Sequence, residues 1–563
     1  MAPHSPTEQR LYHNPCHSGQ KDATSPQTLP SSHSITIDLP LVVSDQPLVD
    51  NRELERFFSS KYAWSLHPPC LNWQPLRTFL AKLDLEKPRR LSSPASAVSR
   101  CLLHRIFSSQ GDEEHLQASA GAEHRGSEST LRGASHGPYC FERKIYTDRE
   151  LLQRLGPNRA ASSVERTIFF TANMTPLYAA AIAVRDEDMY QGFLKGYLQC
   201  HVAGEVVFNA FQNPHTVREC VDWPRHVNPK SAFNFEFHMS YVALRKAGAG
   251  ADPRGVRAHI SMIEPLEVEV GLAEELICYD AQISFMIVGK GNDCWKAYCN
   301  VDSWFGSEKD VDAYLANDED GPSGGARLAS DLCLNPKEYF LLILSQRFRQ
   351  TGMEWGNLCD VLMARTDTYE SRYLQTIDTA DLCDDQAMSR TRSYSKAASM
   401  LRQYHDTLST TLDRLQDFLD RNEDIFKDQK NFQDQCGCYF RTIDIEFTHL
   451  SRWRRRLHER MQRFDMMRDG LLNVSVLRES RRSTQQASDI GILTKVTVAY
   501  LPWSLASGIF GLSSLPTERT VWLWWTIVSV ILGCTTFYFA FFHGKSMFYL
   551  LPRNRQAAHR KCR

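Results

Sequence analysis

The sequence predicts an α+β membrane protein made of a cytosolic mixed α/β domain, a long helical stalk and a C-terminal two-helix transmembrane hairpin. Three observations support this fold class: strand-like alternation between residues 166 and 301, apolar residues at helical spacing from residue 336, and two charge-free stretches near the C-terminus. The chain has 563 residues and a net charge of −1, so it has no overall attraction to nucleic acid.

Changes in composition divide the chain into segments. Residues 1–34 and 91–138 are rich in Ser, Pro, Gly or His, which is typical of disorder, although a helix is predicted over 48–61. His4, His13, Cys16 and His17 lie in such a tail, where nothing would hold them in position for a metal. The predicted order is a largely disordered region (1–137), a cytosolic α/β domain (138–334), cytosolic helices (335–443), a stalk helix (444–489), transmembrane helix 1 (490–512), an external loop (513–520), transmembrane helix 2 (521–543) and a basic cytosolic tail (544–563).

The α/β domain is predicted from period-two alternation. Between residues 233 and 240, Phe and Met alternate with polar side chains, which indicates a half-buried strand with His238 on its solvent side or at an edge. Further strands are predicted at 166–171, 266–270, 282–288 and 295–301, and helices at 187–198 and 272–279.

From residue 335 onward, the apolar residues recur at the spacing of a helix. Asn335 followed by Pro336 is typical of an N-cap and the first helical position. A second helix is predicted from about residue 395 to 428, and a third begins near Asp444 with a coiled-coil-like apolar stripe over 450–474. The arginines between 452 and 468 alternate with acidic residues, so we expect a solvated face with local ion pairs rather than a nucleic-acid site.

Two stretches, 496–517 and 521–542, contain no charged residue, and each is long enough to cross a bilayer core of about 30 Å. Lys and Arg flank the pair on both outer sides, so the positive-inside rule places both termini in the cytosol. The prediction is therefore a multi-pass membrane location with two spans, and the lipid bilayer as a partner.

Small and hydroxyl-bearing residues recur at alternating spacings of three and four along the first span. The stripe either packs against another helix, because small residues allow close approach, or lines a hydrated pore. A pore would require an oligomer, since two helices cannot enclose one. The stripe consists of Thr494, Thr497, Leu501, Ser504, Gly508 and Gly511.

The C-terminal region resembles the CorA-type divalent-cation transporters, and is most similar to their divergent eukaryotic branch. Thr494, Pro502 and the run from Gly508 to Gly511 match the first span of that family. The resemblance implies a homopentamer that moves Mg²⁺ or a related cation through a pore lined by the first span. It also implies a pore mouth at Gly511, Leu512, Ser513 and Glu518, where Ser513 replaces the family's Asn and leaves magnesium selectivity open.

In that family, cations bound between cytosolic protomers close the channel. Asp465 and Asp469, at positions i and i+4 of the stalk, are candidates for such a regulatory metal site, although ion pairs with neighbouring arginines are the stronger interpretation.

Two functions are thus predicted: a cation transporter or channel, and a non-conducting CorA-like membrane scaffold or regulatory protein. An enzyme is not predicted, and neither is a cofactor. The P-loop-like residues 544–546 lack the required first glycine, and the calcium-loop-like residues 317–321 are out of register with the ligand positions.

Overall fold

The computed structural model describes a defined part of the chain, which contains eleven helices and nine strands. It describes residue 49 and residues 51–59, 72–83, 100–108, 130–132, 139–155, 164–185, 191–212, 232–263, 275–290, 294–378, 388–427, 430–510 and 519–538. The strands are β1 (Arg100–Ser108), β2 (Thr130–Arg132), β3 (Tyr139–Thr147), β4 (Val164–Ala172), β5 (Val207–Phe211), β6 (Ala232–Lys246), β7 (His259–Ser261), β8 (Leu276–Lys290) and β9 (Cys294–Val301). The helices are α1 (Asn51–Ser59), α2 (Gln74–Ala81), α3 (Asp148–Arg154), α4 (Pro176–Arg185), α5 (Gln191–Ala203), α6 (Val311–Ala316), α7 (Pro336–Asp378), α8 (Ser389–Arg421), α9 (Glu423–Lys427), α10 (Lys430–Phe510) and α11 (Arg519–Tyr538).

The strands form one mixed sheet in the order β2-β3-β1-β4-β9-β8-β6-β5, and β7 pairs with β8 beside this path. All neighbours are antiparallel except β4 and β9, which are parallel and pair Arg166 with Trp295 through Ala172 with Val301. The predicted strands at 166–171, 233–240, 282–288 and 295–301 are confirmed within β4, β6, β8 and β9.

Helices cover both faces of the sheet. One face packs against α1 to α5, and the other packs against α7, α8 and α10. Because helices pack against both faces at β6, the polar residues of this strand are buried together with its aromatic residues. The prediction of a solvated or edge His238 is therefore wrong: the imidazole is fully buried beneath α5 and contacts Tyr197.

The long helices α7, α8 and α10 form a three-helix rod that continues from the sheet. The predicted start of α7 is confirmed, because it begins at Pro336 and the side chain of Asn335 accepts a hydrogen bond from the amide of Lys337. The core of the rod is apolar and aromatic, with Trp355 packed against Tyr404. Helix α10 has 81 residues and is about 120 Å long at 1.5 Å per residue.

Several sequence predictions of secondary structure differ from the structure. Strand β1 lies within residues predicted as a linker, and residues 276–279 belong to β8 rather than to a helix. The third long helix starts at Lys430 instead of near Asp444, and it runs through Gly470 and Gly491 without a break. Residues 191–198 of the predicted helix at 187–198 are confirmed within α5, which continues to Ala203, whereas residues 187–190 and the strand predicted at 266–270 lie outside the described residues.

The predicted transmembrane hairpin is contradicted. Within the described ranges, none of the helices combines the length and the apolar character that crossing a membrane requires. The described part of the first predicted span, 490–510, includes Lys495, and the described part of the second, 521–538, includes the polar residues Thr526, Ser529, Thr535 and Thr536. The predictions of an α+β membrane protein and of a multi-pass location with both termini in the cytosol are therefore wrong.

Candidate assembly site

The far end of the rod exposes apolar side chains. Leu471 is the last residue of α10 whose side chain belongs to the core, and the helix then continues to Phe510 for 39 residues, or roughly 60 Å. Large apolar residues on this segment are exposed to solvent: Leu472, Val476, Leu477, Ile490, Ile492, Leu493, Val496, Tyr500, Leu501, Trp503 and Leu505. They form two groups, 472–477 and 490–505, on either side of the exposed polar and charged segment 478–489. Clustered exposed apolar side chains of this kind are typical of an interaction site.

Helix α11 packs against this segment and adds to the exposed surface. The rings of Trp503 and Trp525 are 6.5 Å apart, and Ser529 is buried. Trp522, Leu523 and Trp524 are 71%, 64% and 63% exposed. Successive residues of a helix point about 100° apart, so these three side chains face widely different directions. One flat contact could not cover all of them.

The five described residues of the predicted stripe all lie on this surface. Thr494, Thr497, Leu501, Ser504 and Gly508 are exposed. A Cβ atom added to Gly508 would meet nothing within 4 Å, so α11 does not pack against this position. The hydroxyl groups of Thr494 and Thr497 donate to the backbone one turn earlier in their own helix, at 2.7 and 2.9 Å. Within the part of the chain that the structure describes, the stripe is therefore not a packing face.

The predicted pore mouth cannot be placed. Gly511, Leu512, Ser513 and Glu518 lie outside the described residues.

The two aspartates predicted as a possible regulatory metal site are held by arginines. Asp465 pairs with Arg402 of α8 at 3.0 Å and with Arg468 at 3.1 Å, and Asp469 pairs with Arg468 at 3.0 Å. Among the residues that the structure describes, no group of three or more His, Cys, Asp or Glu side chains could hold a metal ion. The contacts of both carboxylates thus agree with a structural role in ion pairs.

Arginines of α10 between residues 452 and 468 form ion pairs with the other helices of the rod. Arg460 pairs with Asp367 and Glu370 of α7, and Arg463 pairs with the same glutamate. The predicted ion pairs are therefore present, but Arg460 and Arg463 pair with α7 rather than within α10, and the side chain of Arg460 is only 13% exposed.

A second polar arrangement, buried in the α/β part, combines a serine, two histidines and an aspartate. The Ser284 hydroxyl lies 2.9 Å from Nδ1 of His201 and 2.8 Å from Nδ1 of His238, and Nε2 of His201 lies 3.7 Å from Asp302. The residue types are those of a hydrolase triad, but all four side chains are at most 1% exposed. A substrate could not reach the serine, so the arrangement is structural.

Asp302 is the electrostatic centre of this buried network. Its carboxylate accepts from Arg254 at 2.7 Å, from Arg257 at 2.6 Å and from the amide of Gln282 at 3.0 Å. Burial favours the neutral acid, but the two guanidinium groups outweigh it and hold the pKa of Asp302 well below its usual range. For His201, burial is the largest effect and lowers the pKa of the imidazole well below its usual value.

Sequence reasoning missed this network. Its members come from α5, β6, β8, a loop and the end of β9, and no spacing motif connects them. The sequence contains one signal, because Lys195, Gln199 and His201 are polar residues within the otherwise apolar stretch that forms α5. The structure shows that all three are buried.

No protein-family model matches the chain, and no curated protein matches it at a significant level. The resemblance to CorA-type transporters therefore stays a prediction from the sequence.

Proposed function

We propose that this chain is a self-assembling scaffold. The proposal keeps the non-conducting scaffold of the alternative predicted from the sequence, but not its membrane location. The observation that carries the proposal is the exposed apolar surface formed by residues 490–505 of α10 and by α11. Exposing this surface to water is unfavourable by roughly 25 cal/mol per Å² of apolar area, so it favours a covered state.

We assign the surface to further copies of the same chain. The stripe of Thr494, Thr497, Leu501, Ser504 and Gly508 keeps the alternating spacing of a coiled-coil seam, which suits parallel packing of identical helices. Its small residues allow close approach, and no other part of the described chain fills the space beside Gly508. Because the apolar residues of α11 face several directions, the proposal requires more than two copies around an axis.

In this assembly the rod acts as a spacer. The first half of α10 is held by α7 and α8, and the second half extends roughly 60 Å beyond their shared core. Several α/β domains would be held at a common distance from the joined apolar surfaces. The CorA resemblance implies five copies; cation movement remains a separate prediction, and it depends on spans that the structure does not support.

The mass of the purified full-length chain in solution tests the proposal. We expect the wild type to be an oligomer in sedimentation velocity, and the double variant Leu493→Lys/Leu501→Lys to shift to single chains. Both leucines are exposed, so the charges are tolerated in the single chain but opposed in an apolar contact.

The double variant Gln485→Lys/Ser488→Lys is the matched control, because it adds two lysines to exposed polar positions of the same helix. It should keep the mass of the wild type. A wild type that is a single chain at all concentrations would refute the proposal. So would a wild type that is a single chain in water and floats with lipid vesicles, because the surface would then be covered by lipid.

A further inference from the structure

Two histidines face each other across the rod. His405 of α8 and His458 of α10 have ring centroids 5.2 Å apart, with ring planes inclined by 40°. Their neighbours Tyr404 and Leu457 are buried in the core, whereas His405 is half-buried and His458 is exposed. The pair is therefore mounted on two rigid helices rather than on loops.

Ion pairs on both sides of the histidines fix the register of these antiparallel helices. Arg402 of α8 pairs with Asp465 of α10 at 3.0 Å, and Arg454 of α10 pairs with Asp413 of α8 at 2.8 Å. His405 lies between Arg402 and Asp413 on α8. His458 lies between Arg454 and Asp465 on α10. The separation of the imidazoles is thus set by the packing of the helices.

Hydrogen-bond partners indicate which ring nitrogen of each histidine carries the lone pair. Asp406 lies 3.1 Å from Nδ1 of His405, and a carboxylate accepts, so in the neutral imidazole Nδ1 carries the proton and Nε2 the lone pair. The Gln462 amide nitrogen lies 2.9 Å from Nε2 of His458, and an amide NH₂ donates, so this Nε2 also carries its lone pair. Nε2 of His405 has only a 3.4 Å contact with Ser409.

This arrangement matches a metal-binding histidine pair. Neutral imidazole nitrogen suits zinc, copper and nickel, and a carboxylate on the other ring nitrogen is the partner that usually orients such a ligand. We propose that His405 and His458 bind one divalent transition-metal ion, such as Zn²⁺, through their Nε2 atoms and so clip α8 to α10. The rings turn toward the ion and give up their contacts with Ser409 and Gln462. Water completes the coordination, since the described residues offer no third His, Cys, Asp or Glu ligand.

Titration of the full-length chain with ZnCl₂ tests the site, with thermal unfolding and equilibrium binding as readouts. Chelation needs both rings, so His405→Ala, His458→Ala and the double variant should lose the same single site. Asp406→Asn should weaken zinc binding about tenfold, because it removes the carboxylate that orients His405. The matched control is His449→Ala, which removes an exposed histidine of α10 that contacts Trp453 instead; it should bind zinc as the wild type does.

Cu²⁺ provides a second readout, because the hyperfine pattern of its electron paramagnetic resonance spectrum reports the number of bound imidazoles. We expect two nitrogens in the wild type and one or none in each single variant. Equal zinc affinity and stoichiometry for the wild type and the double variant would overturn the proposal. Losses in the two single variants that add up in the double variant would also overturn it, since they would show independent binding at separate histidines.

Discussion

Lowering the pH from 7.5 to 5 should destabilise the fold through histidines that are buried as neutral imidazoles. His104 lies in the middle of β1, is 5% exposed and packs edge-on against Phe141. Burial, reinforced by the nearby Arg143, lowers the pKa of this imidazole to about 3, from the ordinary value of 6.5.

The sign follows from where the proton binds. Below pH 6.5 the unfolded chain takes up a proton at His104 and the folded chain does not, so acid favours unfolding until the pH reaches about 3. The contribution of His104 is complete above pH 6.5. It falls by about 1.4 kcal/mol for each pH unit below that value, which amounts to about 2 kcal/mol at pH 5. His201, whose pKa is also lowered by burial, changes stability in the same direction.

Two buried aspartates also change the free energy of unfolding with pH, but neither adds to the loss expected between pH 7.5 and 5. The lowered pKa of Asp302 removes stability only below about pH 4, so it does not act in this range. Burial raises the pKa of Asp320, which opposes the histidine effect as the pH falls.

Urea unfolding at pH 7.5, 6.5 and 5 measures the change, with His104→Gln as the test variant. The glutamine side chain does not titrate. The loss of unfolding free energy of His104→Gln between pH 7.5 and 5 should therefore be about 2 kcal/mol smaller than that of the wild type. His449→Gln, at an exposed position, should retain the wild-type dependence. If His104→Gln lost as much stability as the wild type over this range, the assignment of His104 as a neutral buried imidazole would be refuted.

Two further predictions concern α10 and the centre of the α/β part. Gly470→Ala should destabilise the rod, because its Cβ would overlap the hydroxyl of Tyr373 and force that ring to move. Gly491→Ala, with nothing within 4 Å, should stabilise by about 0.5–1 kcal/mol, and thermal unfolding that gave both variants the same sign would contradict the packing. Arg347→Met should lower the free energy of unfolding by about 3–5 kcal/mol, because it leaves the buried Glu308 carboxylate without its 2.7 Å partner. Urea titration checks this value, and a loss below 1 kcal/mol would show that the pair is dispensable.

The elements that sequence predicted well have strong local signals. The alternation of Phe233, Phe235 and Phe237 identifies β6, and Asn335 with Pro336 marks the start of α7 within one residue. Strand β1 was missed because its nine residues lie between long stretches of Ser, Gly and His, which dominate the composition of any wider window.

Other features could not be predicted locally, because they depend on parts of the chain that are distant in sequence. These features are the burial of the polar side of β6 and the polar contacts between the helices of the rod. Alternation alone predicted a solvated face for His238, because only the position of α5 shows that this face is covered. The stripe from Thr494 to Gly508 was visible as a spacing, and the structure adds that α11 leaves Gly508 uncovered. The pairing of His405 with His458 required the register between α8 and α10, which no local pattern contains.

The parallel pairing of β4 with β9 sets the timing of folding during synthesis. Arg166 pairs with Trp295, so about 130 residues must be made after β4 before its partner strand exists. At ribosomal rates of about 5–20 residues per second, the edge of β4 stays without its partner strand for roughly 6 to 26 seconds. During that interval β1 to β4 can form only a small antiparallel sheet in which the side of β4 that later pairs with β9 is open, and an open strand edge invites pairing with other chains. We therefore expect the yield of folded protein to depend on translation speed between residues 172 and 295 more than elsewhere in the chain.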